Sequence, residues 1–404
     1  MISVEDAKRR IFAAFHPLPA ETVGLADAAG RVTAVPIAAR RTQPWADLSA
    51  MDGYAVRGDD VAAAPVTLDV IASVPAGTHF DGPVGPGQCV RIFTGAPLPE
   101  GTDTIVIQED TEADGDRVTV NAATRQGVYV RPRGFDFSDG DELIPAGRLL
   151  TARDIGLAAS MNHPWLKVHR RPRVAILATG DEIVMPGEPI GPDQIVSSNG
   201  PGLAALVEAC GGVPVLLPVA QDNAASLHAA AAAARGMDLL ITTGGASVGE
   251  HDLIREVLGR DGLEIDFWRI AMRPGKPLMF GAIDGVPVLG LPGNPVSSQV
   301  CALLFAVPAL RLLQGLPAED GVAEKARLGR DLPANDRRQD YLRSTLSVDD
   351  DGQLVATPFE KQDSSLLTLL AKADCLVVRP PHAHAIEAGC PVEIVRFDPQ
   401  LARL

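Results

Sequence analysis

Short apolar runs recur through the middle of the chain, separated by loops rich in glycine, proline or polar residues. Their length and their Val, Ile and Leu content are typical of buried strands, and they lie at 174–177, 213–217, 238–243 and 286–290. The segments between them have helical spacing at 202–210 and 222–235, and a longer apolar helix is predicted from about 295 to 313. Strands that alternate with helices form a parallel sheet, so residues 173–325 are interpreted as a doubly wound α/β domain.

The flanking parts of the chain have other patterns. Residues 3–16 and 151–163 have helical spacing, with Ser3 and Thr151 in the position of helix caps. Between them, short Val- and Ile-rich runs alternate with Gly/Pro clusters, which indicates an all-β insert. These patterns predict a multidomain protein of the α/β plus β class. Its parts are a discontinuous helical N-terminal domain, a β-rich insert domain, the central parallel-sheet domain and a C-terminal β-barrel domain, at 1–44 plus 145–172, 45–144, 173–325 and 326–404.

Three loops that follow predicted strands contain candidate chemistry, at 179–182, 243–252 and 291–298. An open parallel sheet binds its ligands beyond the C-terminal ends of its strands, so we expect the three loops to meet at one site. The first loop holds neighbouring carboxylates, Asp181 and Glu182. Such a pair can bind Mg²⁺ or orient a ribose hydroxyl, and it is equally typical of a helix N-terminus.

The second loop has the composition of an anion-binding turn. Gly244 and Gly245 expose backbone N–H groups, and Ser247 adds a hydroxyl. Asp252 follows at the predicted start of a helix, where it can reach Mg²⁺. The alternative is a glycine-rich turn in which the acids only satisfy the helix N-terminus.

A turn stiffened by Pro and Gly presents two further cations, Arg273 and Lys276, within the segment 271–277. A rigid turn loses little conformational entropy when it binds a tetrahedral oxyanion. The alternative is a surface turn whose cations are solvated.

The third loop opens the long apolar helix. Pro292, Gly293, Asn294 and Pro295 precede Ser297, and a helix N-terminus at this point is an anion-binding position. The same geometry predicts helix capping by Asn294 with Pro295 at the first helical position.

Composition limits the classes of function. The chain has 404 residues and a formal net charge of −15, so nucleic acid and anionic membranes are not expected as partners. No run is expected to reach the roughly 18 apolar residues of a membrane span. The five scattered cysteines form no CxxC pair, and the N-terminus lacks the pattern of a secretion signal, which together predict a cytoplasmic protein. No Walker-type nucleotide loop, dinucleotide fingerprint, nucleophile elbow or HExxH motif occurs.

A series of short motifs in order makes the chain similar to the molybdopterin molybdenumtransferase family, which includes bacterial MoeA, the gephyrin E domain and the plant counterpart. The motifs are SAMDGYAV (49–56), RIFTGAPLPEG (91–101), ATGDEIV (178–184), QIVSSN (194–199), TTGGASVGEHD (242–252), AMRPGKP (271–277) and LPGNPVSS (291–298).

The resemblance implies an L-shaped homodimer with four domains per subunit. In this arrangement the molybdopterin-binding, MogA-like α/β domain binds adenylylated molybdopterin, and the β insert of the partner subunit closes the site. The implied reaction is hydrolysis of the adenylylated pterin assisted by Mg²⁺ or Zn²⁺, with release of AMP and insertion of molybdenum from molybdate into the dithiolene. A molybdopterin adenylyltransferase and molybdoenzyme-maturation proteins are the implied partners.

Carried over motif by motif, the resemblance assigns roles to residues of this sequence. The implied catalytic residues are Asp52, Thr94, Glu182, Asp252 and Lys276. Asp52 and Thr94 would come from the partner subunit, and Glu182 and Asp252 are the candidate metal ligands. The residues implied to hold molybdate are Arg273, Lys276 and Ser297. The other implied substrate-binding residues are Arg133, Asp181, Asn199, Gly244, Gly245, Ser247, Pro292, Gly293, Asn294 and Pro295.

Some positions depart from the family pattern. Arg273 stands where lysine is usual, which keeps the charge and changes the hydrogen-bond geometry. Phe135 replaces a common acid, so the role of segment 131–136 is open, as is that of Ser364.

Two other functions are compatible with this architecture: an enzyme of the molybdopterin adenylyltransferase type and a non-catalytic, gephyrin-like scaffold. The β insert and the C-terminal barrel argue against the first, and the intact set of acids with Lys276 argues against the second. The sequence does not distinguish molybdate from tungstate.

Overall fold

The structure is a computed structural model that describes residues 1–221, 223–244, 263–318 and 324–397. The chain forms two compact units. The first consists of Met1–Glu21, Gly30–Ala34 and Lys167–Leu404, and the second of Thr22–Ala29 and Val35–Leu166. The four domain boundaries drawn from the sequence stay a prediction.

A six-stranded sheet forms the centre of the first unit. Its strands in chain order are β1 Arg173–Ala178, β2 Val213–Leu216, β3 Leu239–Thr243, β4 Leu263–Phe267, β5 Met279–Ile283 and β6 Val286–Leu291. The strands β2, β1, β3 and β6 lie side by side in parallel, as the βα pattern predicts. Strands β5 and β4 continue the sheet in antiparallel orientation. The sequence interpretation lacked this pair, although residues 263–267 alternate apolar and polar side chains as a half-buried strand does.

Helices connect or follow the strands of this sheet. They are α1 Asn199–Ala209, α2 Ala224–Ala233 and the long helix α3 Pro295–Leu313, which contains a π-helical stretch at Ala302–Ala306. Pro308 follows that stretch and cannot donate a backbone hydrogen bond, which explains the local change in helix geometry. Phe305 and Leu310 of α3 are fully buried in the main core with Ile176 and Leu289 of the sheet.

Helix α3 corrects one expectation drawn from composition. Its mean hydropathy of 1.7 over a membrane-spanning length makes it long and apolar enough to cross a membrane. However, 72% of that segment is buried inside the fold, as expected for the central helix of a folded domain.

The N-terminal helix Val4–Ala13 packs on the same core through Ala7 and Ile11. The Ser3 hydroxyl accepts a hydrogen bond from the backbone N–H of Asp6 at 3.0 Å, so the predicted cap forms.

The C-terminal part of the first unit is a closed five-stranded barrel, as predicted. Its longest strand, Gln339–Val348, pairs with two neighbours and so closes the sheet on itself. The other barrel strands are Glu324–Leu328, Leu354–Pro358, Cys375–Arg379 and Pro391–Arg396, and a short helix occupies Leu367–Leu370. The two-residue strand Met272–Arg273 adds in parallel to the start of Gln339–Val348. This pairing ties the turn after Met272 to the barrel.

The second unit is mainly antiparallel. Its six-stranded sheet consists of Gly53–Val56, Val66–Val74, Gln88–Ile92, Thr104–Ile107, Thr111–Asp114 and Arg117–Val120. Two short ribbons pair Ile37–Ala38 with Glu142–Ile144 and Leu48–Ser49 with Val130–Arg131. Helix Ala152–Ser160 begins with a capping box formed by Thr151 and Asp154, as Thr151 predicts. The short strands Ile183–Val184 and Ile195–Val196 belong to the first unit, and the strands Ala20–Gly24 and Trp165–His169 contain points where the chain passes from one unit to the other.

Candidate active site

The three candidate loops begin at one edge of the central sheet. Ala178 at the end of β1 lies opposite Thr243 of β3, and Thr243 lies opposite Leu291 of β6. The backbone N–H of Thr179 donates to the carbonyl of Thr243 at 3.0 Å. The polar segments after these strands therefore begin side by side.

An open cleft of about 620 Å³ lies at this edge. The predicted substrate-binding and catalytic residues in its wall are Glu182, Asn199, Gly244, Pro292, Gly293, Asn294, Pro295 and Ser297. Further wall residues, Ser197, Ser198, Pro277 and Ser365, were not assigned to a site from the sequence.

Gly244 allows two of the loops to approach each other closely. Its φ is +95°, and an added Cβ would lie 2.2 Å from the carbonyl oxygen of Thr179. Any other residue would therefore meet both backbone strain and a clash. Gly293 of the third loop lies next to Gly244, since a Cβ added to Gly293 would be 3.4 Å from the Cα of Gly244.

Asn199, the first residue of α1, connects the walls of the cleft. Its Nδ2 donates to the Thr243 hydroxyl at 2.8 Å and to the Gly293 carbonyl at 2.8 Å. Its Oδ1 is buried and accepts no hydrogen bond within the described part of the chain. A buried acceptor left without a donor costs about 1–3 kcal/mol. This oxygen is therefore suited to a donor on a bound ligand.

The start of helix α3 is held by the barrel. Asn294 occupies the N-cap position and Pro295 the first helical position, but the predicted capping by the Asn294 side chain is wrong. Its Nδ2 instead donates to the Ser364 hydroxyl at 2.9 Å, and the Val296 N–H donates to the Ser364 carbonyl at 3.1 Å. Ser364 thus accepts from two groups at the helix N-terminus, and its neighbour Ser365 lines the cleft.

The acids of the first loop do not begin a helix. Asp181 and Glu182 are exposed, and the chain continues into the strand Ile183–Val184. The Glu182 carboxylate lies over Gly180, where an added Cβ would be 2.5 Å from Glu182 Oε2. Glu182 is in the cleft wall and Asp181 is not. The helix-capping alternative for this pair is therefore wrong.

Neither cation of the stiff turn is among the residues that line the first cleft. Lys276 is exposed beside the cleft-lining residue Pro277, and its side chain has no ion pair or hydrogen bond among the residues that the structure describes. Arg273 instead donates from Nε to Asp340 Oδ1 of the barrel at 3.0 Å. It lines a second cleft of about 320 Å³, not the first. The structure does not bring Arg273 to the predicted anion site.

The predicted residues Gly245, Ser247 and Asp252 lie outside the described residues. Within 1–221, 223–244, 263–318 and 324–397, no group of three or more His, Cys, Asp or Glu side chains is arranged to hold a metal ion. Of the two candidate metal ligands, the structure places only Glu182.

Two implied catalytic residues lie together in the second unit. Asp52 Oδ1 accepts from the backbone N–H and from the hydroxyl of Thr94, each at 2.7 Å. The backbone N–H of Thr94, followed by its hydroxyl, holds the pKa of Asp52 below its ordinary value. Arg133 is exposed in the same unit, and its backbone N–H donates to Asp47 at 2.8 Å.

Arg343 is a candidate functional residue that sequence reasoning missed. Only 1% of the residue is exposed, and Nη1 donates to the carbonyl of Leu366, next to the cleft residue Ser365, at 3.2 Å. Its Nη2 is buried with no acceptor among the described residues, and burial lowers the pKa of the guanidinium. The signal that could have found it is an arginine that directly follows Tyr341 and Leu342 in a barrel strand.

Family models match most of the chain in three consecutive parts. Residues 2–162 match the MoeA N-terminal region (domain I and II), residues 175–312 match a probable molybdopterin binding domain, and residues 325–397 match the MoeA C-terminal region (domain IV).

Whole-chain relatives agree with these matches. The chain is 37% identical to the molybdopterin molybdenumtransferase of a Nostoc species, over 98% of this chain and 94% of the relative. It is 33% identical to that of Haemophilus influenzae, over 98% and 99%. A crystal structure of the molybdopterin biosynthesis MoeA protein of Pyrococcus horikoshii is 31% identical, with a TM-score of 0.86 over 98% of this chain and 99% of that one. Fold, motifs and similarity along the full length agree, and the chain belongs to the molybdopterin molybdenumtransferase family.

Proposed function

We propose that this chain is the molybdenum insertase of molybdenum cofactor biosynthesis, with adenylylated molybdopterin and molybdate as substrates and AMP as a product. Transfer of molybdenum to molybdopterin follows from family membership. The adenylylated form of the pterin, the metal ion and the residue roles are the proposal. The observation that carries it is the cleft where the ends of β1, β3 and β6 meet the N-terminus of helix α3.

The cleft suits a substrate with several negative charges. A helix N-terminus favours anions through its free N–H groups and its dipole, and α3 begins in the cleft wall. Lys276 is exposed beside this wall and Ser297 forms part of it. In a chain with a net charge of −15, such local groups are needed to attract an anion. We assign molybdate to the end of the cleft that is formed by the N-terminus of α3, with Lys276 as its cation.

Asn199 supports a role in recognising the pterin. Its Oδ1 has no donor among the described residues and can accept a hydrogen bond, and pterin rings carry amino and ring N–H donors. The amide is already fixed by Thr243 and Gly293, so it loses little entropy when a ligand binds. We therefore assign Asn199 to the pterin end of the substrate.

The donor groups of the cleft fit Mg²⁺ better than Zn²⁺. Mg²⁺ is held by one or two carboxylates and by substrate phosphates, whereas Zn²⁺ prefers His and Cys. Glu182 supplies a carboxylate, and the described wall residues include no His or Cys. Glu182 and Asp252 would hold the ion, which when bound offsets the charge of the phosphates and favours departure of AMP.

We further propose a cytoplasmic homodimer in which Asp52 and Thr94 complete the site of the partner subunit. The hydrogen bonds from Thr94 that lower the pKa of Asp52 favour a carboxylate that orients a cation or a substrate group over one that accepts a proton. The five cysteines are free, which suits a reducing compartment. A molybdopterin adenylyltransferase would supply the substrate, and molybdoenzyme-maturation proteins would receive the product.

The test gives purified protein adenylylated molybdopterin, molybdate and Mg²⁺ and follows AMP by chromatography. We expect AMP release and pterin-bound molybdenum that depend on all three additions, and loss of both in Lys276→Ala. The matched control is Lys372→Ala, a substitution outside the cleft, which should behave as the unaltered protein. Turnover of ATP without adenylylated pterin would favour the adenylyltransferase alternative, and absence of both reactions would favour a scaffold.

A further inference from the structure

Arg273 is bound to the barrel by more than one contact. The strand Met272–Arg273 runs parallel to Gln339–Asp340. Beside this pairing, Nε donates to Asp340 Oδ1 at 3.0 Å, and Nη2 bonds the other carboxylate oxygen. Weaker contacts join Nη1 to Asp336 at 3.5 Å and Nη2 to Asn335 at 3.4 Å. The guanidinium therefore has a bidentate ion pair with further acceptors around it.

Asp340 depends on this partner. The residue is only 5% exposed, and burial raises the pKa of its carboxyl while the hydrogen bond from Arg273 opposes that rise. The same hydrogen bond raises the pKa of Arg273. Removing one member of such a pair leaves the other charge buried without compensation. If Arg273 turned toward a ligand in the first cleft, the carboxylate of Asp340 would be left buried without its ion-pair partner.

The turn that follows is fixed from the opposite side as well. Gly275 has a φ of +111°, and an added Cβ would lie 2.5 Å from Cys301 Sγ of helix α3. Two residues later, Pro277 lines the first cleft. The segment 273–277 therefore spans from the barrel to the cleft wall, with contacts along its length and with Lys276 at the cleft end.

We propose that Arg273 is a positioning residue: through Asp340 it fixes the 273–277 turn on the barrel, so that Lys276 and not Arg273 is the cation that this turn supplies for molybdate. This inference rests on the proposed molybdate binding and replaces the direct contact with molybdate that the family resemblance implies for Arg273. It also gives the barrel a function, because Asp340 belongs to its longest strand.

A double-mutant cycle separates a positioning role from a direct one. Molybdate binding to the full-length protein is measured by calorimetry for Arg273→Gln, Asp340→Asn and the double variant. A misplaced Lys276 should weaken binding about tenfold or more in each single variant, and the double variant should be no weaker than the worse single one. If Arg273 contacted molybdate directly, Arg273→Gln would weaken binding while Asp340→Asn left it intact or tighter. That result, or additive losses, would overturn the inference.

A compensating pair and a control complete the design. The combined substitution Arg273→Lys with Asp340→Glu restores an ion pair of similar total length, and it should recover affinity that Arg273→Gln loses. Because this variant keeps the buried pair, it decides the question even where Asp340→Asn does not fold. Arg330→Gln, in the same second cleft, should leave molybdate affinity unchanged. If the unaltered protein does not bind molybdate, the proposed function itself is refuted. If it binds molybdate and neither the Asp340 nor the Arg273 substitution changes the affinity, only the positioning role is refuted.

Discussion

Asp52 and Glu182, the two proposed catalytic acids that the structure describes, have different surroundings. Asp52 accepts two hydrogen bonds from Thr94 at its carboxylate, whereas the carboxylate of Glu182 has no hydrogen-bond partner among the residues that the structure describes. Asp52 is therefore held in one orientation before any ligand binds. Glu182 is left available for a metal ion or a substrate group, as its position in the cleft wall requires.

The substitution Thr94→Val tests the environment of Asp52. It removes the hydroxyl and keeps the backbone N–H, so the pKa of Asp52 should rise only part of the way to its ordinary value. A lowered carboxyl pKa contributes stability that is present above the unfolded-state pKa and is lost as the pH falls through the folded-state pKa. The variant should therefore lose this acid-dependent contribution at a higher pH. Carboxyl ¹³C NMR with Asp52→Asn for assignment measures the shift.

Thr102→Val is the matched control, because the Thr102 hydroxyl donates to a backbone carbonyl and to no carboxylate. It should leave the titration of Asp52 unchanged. An unaltered Asp52 titration in Thr94→Val would contradict the pair seen in the structure.

The substitution Gly244→Ala tests the close approach of two loops. The added methyl meets the Thr179 carbonyl at 2.2 Å in a backbone region that favours glycine, so we expect a loss of about 1–3 kcal/mol in stability and a loss of activity. Thermal unfolding and AMP release measure the two effects. Gly285→Ala, with a φ of +79° and open space around its Cβ, isolates the backbone strain and should cost less. Equal costs for the two variants would argue against the contact with Thr179.

The secondary-structure elements show how far sequence reasoning reaches. The strands β1, β3 and β6 and the described starts of their loops could be placed because buried parallel strands are short apolar runs and because ligands bind at their C-terminal ends. The orientation of Arg273 and the partner of Asn294 could not be placed. Both depend on the barrel, whose residues 335–340 and 364 are distant in sequence from the turns that they contact.

The contact between Asn294 and Ser364 joins two elements, helix α3 and the segment before Leu367–Leu370. Asn294→Ala and Ser364→Ala should each lower the thermal unfolding temperature, and the double variant should lose less than the sum, with a coupling of about 0.5–1.5 kcal/mol. AMP release should fall with them, since Asn294 is in the cleft wall. Ser365→Ala is the control, because its hydroxyl donates to Asp363, and its effect should add to that of Asn294→Ala. Additive losses for Asn294 and Ser364 would show that the contact carries no energy.

At the scale of the whole molecule, neither the net charge nor the apolar composition of α3 predicts function until the positions of the residues are known. A net charge of −15 argues against a general affinity for anions, yet the N-terminus of α3 and Pro277, the neighbour of Lys276 in the sequence, line the same cleft. Likewise, the apolar composition of α3 allows a membrane span, and its burial explains that composition by packing on β6 and its neighbours. In both cases the arrangement of residues decides what the composition means.

The proposed shared site needs two copies of the chain, and mixing of inactive variants tests it. In a symmetric dimer whose sites each combine Asp52 of one subunit with Lys276 of the other, a mixed dimer of Asp52→Ala and Lys276→Ala has one intact site and one doubly altered site. With random exchange, half of the dimers are mixed, so about a quarter of the unaltered activity should return. Asp52→Ala mixed with Thr94→Ala is the control, because both substitutions fall on the same unit and no intact site can form. Mass spectrometry confirms that the subunits have exchanged. Two results would contradict the shared site: activity in the control, or no activity in the first mixture. Either Asp52 and Lys276 would then belong to a site within one subunit, or Asp52 would have no part in the reaction.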